Sequence, residues 1–202
     1  MKTAALQSGD DLVIRKSPPR FICPCAPVLR PGPPSGPDWV HEVKWDGWRL
    51  QAHKRANDVT LYSRPGNDLT ARFPRIAEAI ADLPRRSLVL DGELVAFDDA
   101  NRPDHHLLRS KRAPVVAFVF DILGCNGADL RSRPWRERRR FLERLLAGDN
   151  SGFLQLSQVW DDGAALLRAT RAHGLAGIVS KRRNAPYRSG DSDAWVKVKV
   201  AG

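Results

Sequence analysis

The interpretation of this chain starts from residues 40–49, which read VHEVKWDGWR. The stretch places a single lysine, Lys44, between two hydrophobic neighbours. A lysine amine is normally protonated, and it becomes a useful nucleophile when desolvation and nearby cations lower its pKa. Asp46 can orient the amine or bind a metal, Gly47 lets the backbone approach a ligand closely, and Arg49 can bind a phosphate or sugar oxygen. The alternative is an amphipathic strand with a charged face, so the rest of the chain has to decide.

The composition indicates one basic domain. The chain has 202 residues, 42% of them hydrophobic, and a net charge of +10, which favours an anionic partner. Residues 131–144 carry seven arginines and two glutamates, and a second basic cluster covers residues 181–188. Clustered cations favour a phosphate backbone as partner, although charged helix faces are often only solvated. The candidate nucleic-acid contacts are Arg136, Arg139, Arg182, Arg183 and Arg188.

Two functional classes are disfavoured by what the sequence lacks. No apolar run approaches the length of a membrane span, and the first residues lack the apolar core of a secretory signal. Three cysteines, an odd number, argue against a disulfide framework and for a reducing compartment. We therefore expect a cytoplasmic monomer in which the cysteines are structural.

Residue patterns predict an α+β fold with largely antiparallel sheets flanked by helices. Residues 1–20 form a polar tail, and residues 21–38, with six prolines, predict irregular chain. Strands are predicted at 39–54 (two strands around Lys44), 59–63, 88–97, 115–123, 153–159, 177–182 and 195–200. Helices are predicted at 73–83, 131–147 and 162–173, the second with its leucines facing inward and its arginines outward. This order is not a strict βαβ alternation.

Two strands carry further candidate chemistry. In the last strand, alternation places Lys197 and Lys199 on one face beside Trp195, where they need an anion between them or plain solvent. In residues 88–97, Asp91 and Glu93 share a face, which indicates either a metal site or a solvated edge. The pair His105-His106 lies in a basic loop and is interpreted as surface polarity.

The pattern Lys-x-Asp-Gly-x-Arg at 44–49 resembles the active-site signature of covalent nucleotidyltransferases, namely DNA ligases, RNA ligases and mRNA capping enzymes. Further motifs of that superfamily follow in the family's order. They are Ser63-Arg64, Leu90-Asp91-Gly92-Glu93, the aromatic–aspartate strand at 118–123, Gly177-Ile178-Val179-Ser180-Lys181 and Trp195-Val196-Lys197-Val198-Lys199. The joining segments at 67–74 and 185–190 are most similar to the ligase domain of bacterial ATP-dependent DNA ligases used in end joining. The resemblance runs from about residue 21 to the C-terminus, so residues 21–202 are expected to be an adenylation domain.

The resemblance implies the ATP-grasp-like nucleotidyltransferase fold and a role for each matching residue. Lys44 would attack the α-phosphate of ATP to give lysyl-AMP, and Lys197 and Lys199 would neutralise the developing charge. AMP would then pass to a 5′-phosphate of nicked or broken double-stranded DNA, with Mg²⁺ or Mn²⁺ as metal. The implied nucleotide contacts are Glu42, Val43, Arg49, Arg64, Glu93, Phe120, Val179 and Lys181. The implied metal ligands are Asp46 and Glu93. A bacterial, nucleoid-associated protein is expected.

Two departures from the family pattern keep alternatives open. Ala176 stands where the family has a metal-binding glutamate, which should slow the first step even though magnesium often uses only one or two carboxylates. The sequence ends at Gly202, where the family normally continues into an OB-fold domain, so we expect either a separate partner protein or weak activity alone. The first alternative is a non-catalytic binding module of the same fold. The second is an RNA ligase or capping-type enzyme.

Overall fold

The structure is a computed structural model that describes residues 21–110 and 113–200. The predicted polar tail at 1–20 lies outside the described residues. In chain order, the strands are β1 (Cys25–Leu29), β2 (Trp39–Val43), β3 (Trp48–Arg55), β4 (Asp58–Tyr62), β5 (Ser87–Ala96), β6 (Val115–Cys125), β7 (Ala128–Asp129), β8 (Leu154–Leu156), β9 (Gly177–Arg182) and β10 (Gly190–Lys199). The helices are α1 (Pro74–Ala81), α2 (Trp135–Leu146) and α3 (Gly163–Ala172), with short 3-10 turns at Thr70–Arg72 and Leu107–Arg109.

The strands form two sheets, most of whose pairs are antiparallel. The smaller sheet has the order β1-β10-β9-β2, and only its β1–β10 pair is parallel. The larger sheet has the order β4-β3-β5-β6-β7, and β8 adds to β6 in parallel. The chain passes between the sheets directly after β2, so the segment that carries Lys44 bridges them. The expected α+β class with mainly antiparallel sheets is confirmed.

Each sheet has one face covered by helices. Helices α1 and α2 pack on the larger sheet around a core that includes Leu50, Leu90, Ile122 and Leu142. Helix α3 packs on the smaller sheet, where Leu166 contacts a small cluster with strands β9 and β10. The N-terminus of α3 is capped as predicted, since the carboxylate of Asp162 accepts a hydrogen bond from the Ala165 amide. The uncovered faces of the two sheets turn toward each other. Among the described residues, no helix is long and apolar enough to cross a membrane.

Three predictions are wrong in their local detail. Residues 25–29 form a strand although they lie in the proline-rich segment, which is tolerated because β1 is an edge strand hydrogen-bonded on one side only. Helix α2 begins at Trp135 instead of at residue 131, with Pro134 as its N-cap residue. Its arginines do not all face outward, because Arg138 and Arg139 are 0% and 6% exposed.

Candidate active site

The strand register arranges the predicted site residues of the smaller sheet in three rows across one face, the first of which pairs Lys181 on β9 with Trp195 on β10. The central row is Glu42, Val179 and Lys197, which are cross-strand neighbours on β2, β9 and β10. The next row consists of Lys44, just after β2, Gly177 on β9 and Lys199 on β10. The Lys44 amide donates to the Gly177 carbonyl (2.8 Å), and Gly177 is the cross-strand neighbour of Lys199. Since neighbouring strands lie about 4.8 Å apart, Lys44 and Lys199 are about 10 Å from each other along this row. Sequence alternation predicted that Lys197 and Lys199 share a face, and the strand register places Lys199 in the same row as Lys44.

A cavity of about 440 Å³ lies between the two sheets at this face, which is within the size range of small-ligand sites. Its wall contains ten of the eleven residues predicted to be catalytic or nucleotide-binding, and Lys199 is not among them. The ten lining residues are Glu42, Val43, Lys44, Arg49, Arg64, Glu93, Phe120, Val179, Lys181 and Lys197. The remaining wall includes Trp45, Trp195 and the N-terminal half of β1. The cavity thus combines aromatic surface with several cations and two carboxylates.

One end of the cavity is built on a buried ion pair between Lys181 and Glu42. The Nζ of Lys181 lies 2.6 Å from Oε1 of Glu42, and the two side chains are 1% and 3% exposed. The same ammonium lies 4.4 Å from the ring centroids of both Phe120 and Trp195. Burial is the largest influence on Lys181 and lowers its pKa, against which the Glu42 carboxylate acts. The pair therefore fixes a carboxylate at the cavity edge, where it can accept from an amino group.

Arg49 is oriented by a second buried carboxylate, Asp91. Its guanidinium binds Asp91 in bidentate geometry at 2.6 and 2.7 Å, and lies 4.7 Å from the Phe120 ring centroid. The Tyr187 hydroxyl donates to Oδ2 of Asp91 (2.6 Å), which also accepts from Nη2 of Arg49, and the same hydroxyl accepts from the Cys25 amide (2.8 Å). Asp91 is fully buried, so the predicted solvated edge is wrong. Asp91 is an anchor for Arg49, and Tyr187 ties the edge strand β1 to the larger sheet.

Glu93 is the carboxylate whose pKa is most relevant to binding at the cavity. Burial raises its pKa to about 7, while the charges of Arg49 and Lys44 act in the opposite direction. The side chain therefore has two accessible protonation states near neutral pH, and an added cation would favour the ionised form.

Asp46 faces a second, smaller cavity on the other side of Lys44. Its Oδ2 lies 2.7 Å from Nδ1 of His105, and both side chains are nearly half exposed. The cavity, about 420 Å³, is also lined by Lys44 and Ala176. Ala176, which stands where the family has a metal-binding glutamate, therefore lies beside Lys44. Within the described ranges, Asp46 and Glu93 do not form a group of three ligating side chains. As hard oxygen donors they fit Mg²⁺ or Mn²⁺ only if phosphates or waters supply the other ligands.

The predicted nucleic-acid contacts separate into two kinds. Arg136 and Arg182 are exposed, and Arg183 lies next to Arg136 because the Arg136 amide donates to the Arg183 carbonyl (3.0 Å). Arg188 is exposed as well. Arg139 is instead turned inward, where it donates to the Ser157 carbonyl (2.6 Å) and pairs with Glu143.

Three functional positions were missed or misread by sequence reasoning. Tyr187 had no signal beyond its place in a joining segment, and Asp91 was interpreted only as a metal ligand or a solvated edge. His105 was interpreted as surface polarity, but it contacts Asp46 across 59 positions of the chain. No local pattern reports a contact over that separation.

Comparison with known proteins agrees with this geometry. Residues 34–199 match the family model described as the ATP dependent DNA ligase domain. The chain is 36% identical over 187 residues to the multifunctional non-homologous end joining protein LigD of Pseudomonas aeruginosa, covering 90% of this chain and 22% of that protein. It is 39% identical over 174 residues to a probable DNA ligase of Mycobacterium sp. strain KMS, covering 79% and 33%. A structure of mycobacterial DNA ligase D complexed with ATP and MES superposes with a TM-score of 0.77 at 32% identity, covering 88% of this chain and 60% of that one. The chain thus spans only about a fifth to a third of these curated relatives.

Proposed function

Because this chain belongs to the ATP dependent DNA ligase domain family, we propose that it is an adenylation domain that joins AMP to Lys44 and transfers it to a DNA 5′-phosphate. The observation that carries the proposal is the position of Lys44 in the wall of a nucleotide-sized cavity, together with Arg49 and Lys197. The proposed domain comprises residues 21–202, and a DNA substrate would place it in the bacterial cytoplasm at the nucleoid.

The proposed first step is attack of the uncharged Lys44 amine on the α-phosphorus of ATP. A nitrogen–phosphorus bond forms, the bond to the β-phosphate oxygen breaks, pyrophosphate leaves, and the amine loses a proton. Negative charge builds on the α-phosphate oxygens, where preplaced cations act without reorganisation. Lys197 lines the cavity wall and is the cation best placed for this, with Arg49 and Arg64 on the same wall. Lys199 lies in the same row as Lys44 but outside that wall, so it acts from the rim of the cavity.

The adenine would bind at the end of the cavity that holds the Lys181–Glu42 pair. Phe120 and Val179 supply apolar surfaces for the purine, and the Glu42 carboxylate can accept from an exocyclic amino group. The ion pair with Lys181 holds that carboxylate in place, so we assign Lys181 to the support of the base-reading group. Val43 completes the apolar wall beside Lys44.

A divalent cation fits the site only in a limited way. Asp46 and Glu93 would hold Mg²⁺ or Mn²⁺ together with ATP phosphate oxygens, and the ion would neutralise phosphate charge. The small side chain of Ala176 offers no ligand at the neighbouring cavity.

Labelling with α-³²P-ATP and either metal tests the enzymatic proposal. We expect one covalent AMP per chain, lost in Lys44→Ala and in Lys44→Arg, which keeps the charge but not the nucleophile. The matched control is Arg140→Ala, since Arg140 is exposed on α2 and does not line the cavity. Absence of label with every metal tried would overturn the proposal.

DNA is proposed to bind along the exposed arginines Arg136, Arg182 and Arg188 and the partly buried Arg183, which pairs with Asp161. Arg139 is buried, so its contribution is to hold α2 against the Ser157 carbonyl. Phosphate contacts release counterions, so the affinity for nicked duplex should fall steeply with salt and less steeply in Arg182→Ala. An affinity that does not change with salt would contradict this.

The alternative function is a binding module that keeps the fold without catalysis. The observation that favours it is Ala176, which lines the cavity beside Lys44 and Asp46 without offering a ligand. Ala176→Glu tests it: a large gain in labelling would show an active site that is limited by this one missing ligand. If neither the unsubstituted chain nor Ala176→Glu is labelled with AMP, the result would support the binding module.

A further inference from the structure

A cluster of metal-ligating side chains lies in the loop between β5 and β6, apart from the nucleotide cavity. One ligating atom from each of Asp104, His105 and His106 lies within 4.8 Å of the other two. The two imidazole rings are 4.0 Å apart between centroids and tilted by 36°. Asp104 and His105 are half-buried and His106 is exposed, so an ion can reach the cluster from solvent.

The contact with Asp46 determines which nitrogen of His105 is free. Asp46 Oδ2 lies 2.7 Å from Nδ1 of His105, and an ionised carboxylate can only accept. In the neutral imidazole the proton then lies on Nδ1, and Nε2 carries the lone pair that a metal requires. A carboxylate behind a ligating histidine is the arrangement that fixes the tautomer and raises the basicity of the ligand in many metal centres.

The backbone of the cluster is held in place before any ion binds. The Asp104 amide donates to the Ala96 carbonyl (2.9 Å), and Oδ1 of Asp104 accepts from the His106 amide (2.8 Å), which leaves Oδ2 available. The Arg72 guanidinium donates to the Leu108 carbonyl (2.8 Å) in the 3-10 turn that follows. Holding the loop from both sides lowers the entropic cost of assembling three ligands.

From these contacts we propose that Asp104, His105 and His106 bind one divalent transition-metal ion of the zinc class, with Asp46 as the hydrogen-bonding partner of His105. Two imidazoles and a carboxylate suit Zn²⁺, Co²⁺ or Ni²⁺ better than Mg²⁺, which prefers oxygen ligands. Three protein ligands leave a position for water. The site shares only Asp46 with the proposed position of the Mg²⁺ or Mn²⁺ that would accompany ATP, and its existence does not depend on the proposed ligase activity.

Titration of the untagged full chain with Co²⁺ alone, followed by visible absorption, tests the site. We expect saturation at one ion per chain with d–d bands and no thiolate charge-transfer band, which separates this site from the exposed Cys23. Zn²⁺ should displace the cobalt stoichiometrically, and a large excess of Mg²⁺ should not.

Variants assign the ligands. His106→Ala and His105→Ala should each weaken Co²⁺ binding by at least about 10-fold, and Asp46→Asn by about 10-fold through the partner effect. The matched control is His173→Ala, since His173 is exposed and lies outside the cluster. Circular dichroism establishes that each variant is folded. Unchanged binding in both cluster variants, a thiolate band, or no saturable binding would overturn the proposal.

Discussion

Removal of the Tyr187 hydroxyl should disturb the geometry of the cavity. The hydroxyl donates to Asp91 (2.6 Å) and accepts from the Cys25 amide (2.8 Å), so it connects the edge strand β1 to the carboxylate that orients Arg49. All three residues are at most 5% exposed, so water cannot replace either bond after Tyr187→Phe. The change removes one oxygen and leaves the ring, which packs edge-on against Trp195 at 5.8 Å between centroids.

The expected loss follows from these two bonds. A hydrogen bond to a charged group contributes about 1.5–3 kcal/mol, and a buried amide left without a partner costs about 1–3 kcal/mol. Because the two terms share one hydroxyl and are not additive, we expect the free energy of unfolding to fall by about 3 kcal/mol. Urea denaturation of the full chain measures it, and the labelling rate with ATP should fall in parallel because β1 lines the cavity.

Tyr62→Phe is the matched control, because Tyr62 is the other tyrosine of the chain and is only partly buried. It should change the free energy of unfolding by less than about 0.5 kcal/mol. A loss below about 1 kcal/mol in Tyr187→Phe, or an equal loss in the two variants, would refute the reasoning that the hydroxyl joins the two sheets.

Three further outcomes are expected. The folded-state pKa of Glu93, about 7, lies above its ordinary 4.5, so the folded chain binds the proton more tightly than the unfolded chain does. The free energy of unfolding should therefore fall as pH rises from about 4.5 to about 7. Urea titrations at a series of pH values measure this slope, and Glu93→Gln should flatten it. Lys197→Ala should slow labelling by about 10²-fold or more in single-turnover measurements, and Lys199→Ala by less, because only Lys197 lines the cavity; equal effects would contradict that assignment. Arg138→Met should lower the free energy of unfolding by about 3–5 kcal/mol by chemical denaturation, since it leaves the buried Asp121 without its bidentate partner (2.8 Å), and a small loss would show that water reaches Asp121.

The parts of the site that follow a regular period could be predicted from the sequence. Lys197 and Lys199 alternate with valines, and a period of two is enough to place them on one face without any tertiary information. The spacing of the motifs also located the strands that carry Glu93 and Val179. What alternation could not supply is the lateral register, which decides that Val179 lies between Glu42 and Lys197.

The buried ionic contacts could not be predicted, because their energy depends on partners that are distant in the chain. An arginine on a helix is normally solvated, and Arg138 can be buried because Asp121 on β6 and the Arg133 and Ala185 carbonyls satisfy its guanidinium. The same reasoning applies to Lys181, whose partner Glu42 is 139 positions away. Sequence charge patterns identify such residues as basic but not as internal.

The placement of Lys44 depends on backbone contacts at two glycines, which changes the interpretation of the motif. Gly47 was expected to let the backbone approach a ligand, and it does line the cavity; in addition, a Cβ there would lie 2.0 Å from the Leu94 carbonyl oxygen on β5. Gly177, at φ +133°, accepts the Lys44 amide hydrogen bond, and a Cβ there would lie 2.0 Å from the Val198 carbonyl oxygen. The first glycine therefore seats the lysine segment on the larger sheet, and the second seats it on the smaller sheet. A side chain at Gly47 would push the lysine segment away from the larger sheet, and a side chain at Gly177 would push β9 away from β10, so the two glycines set the distance between the amine and the cations of β10 before any ligand binds.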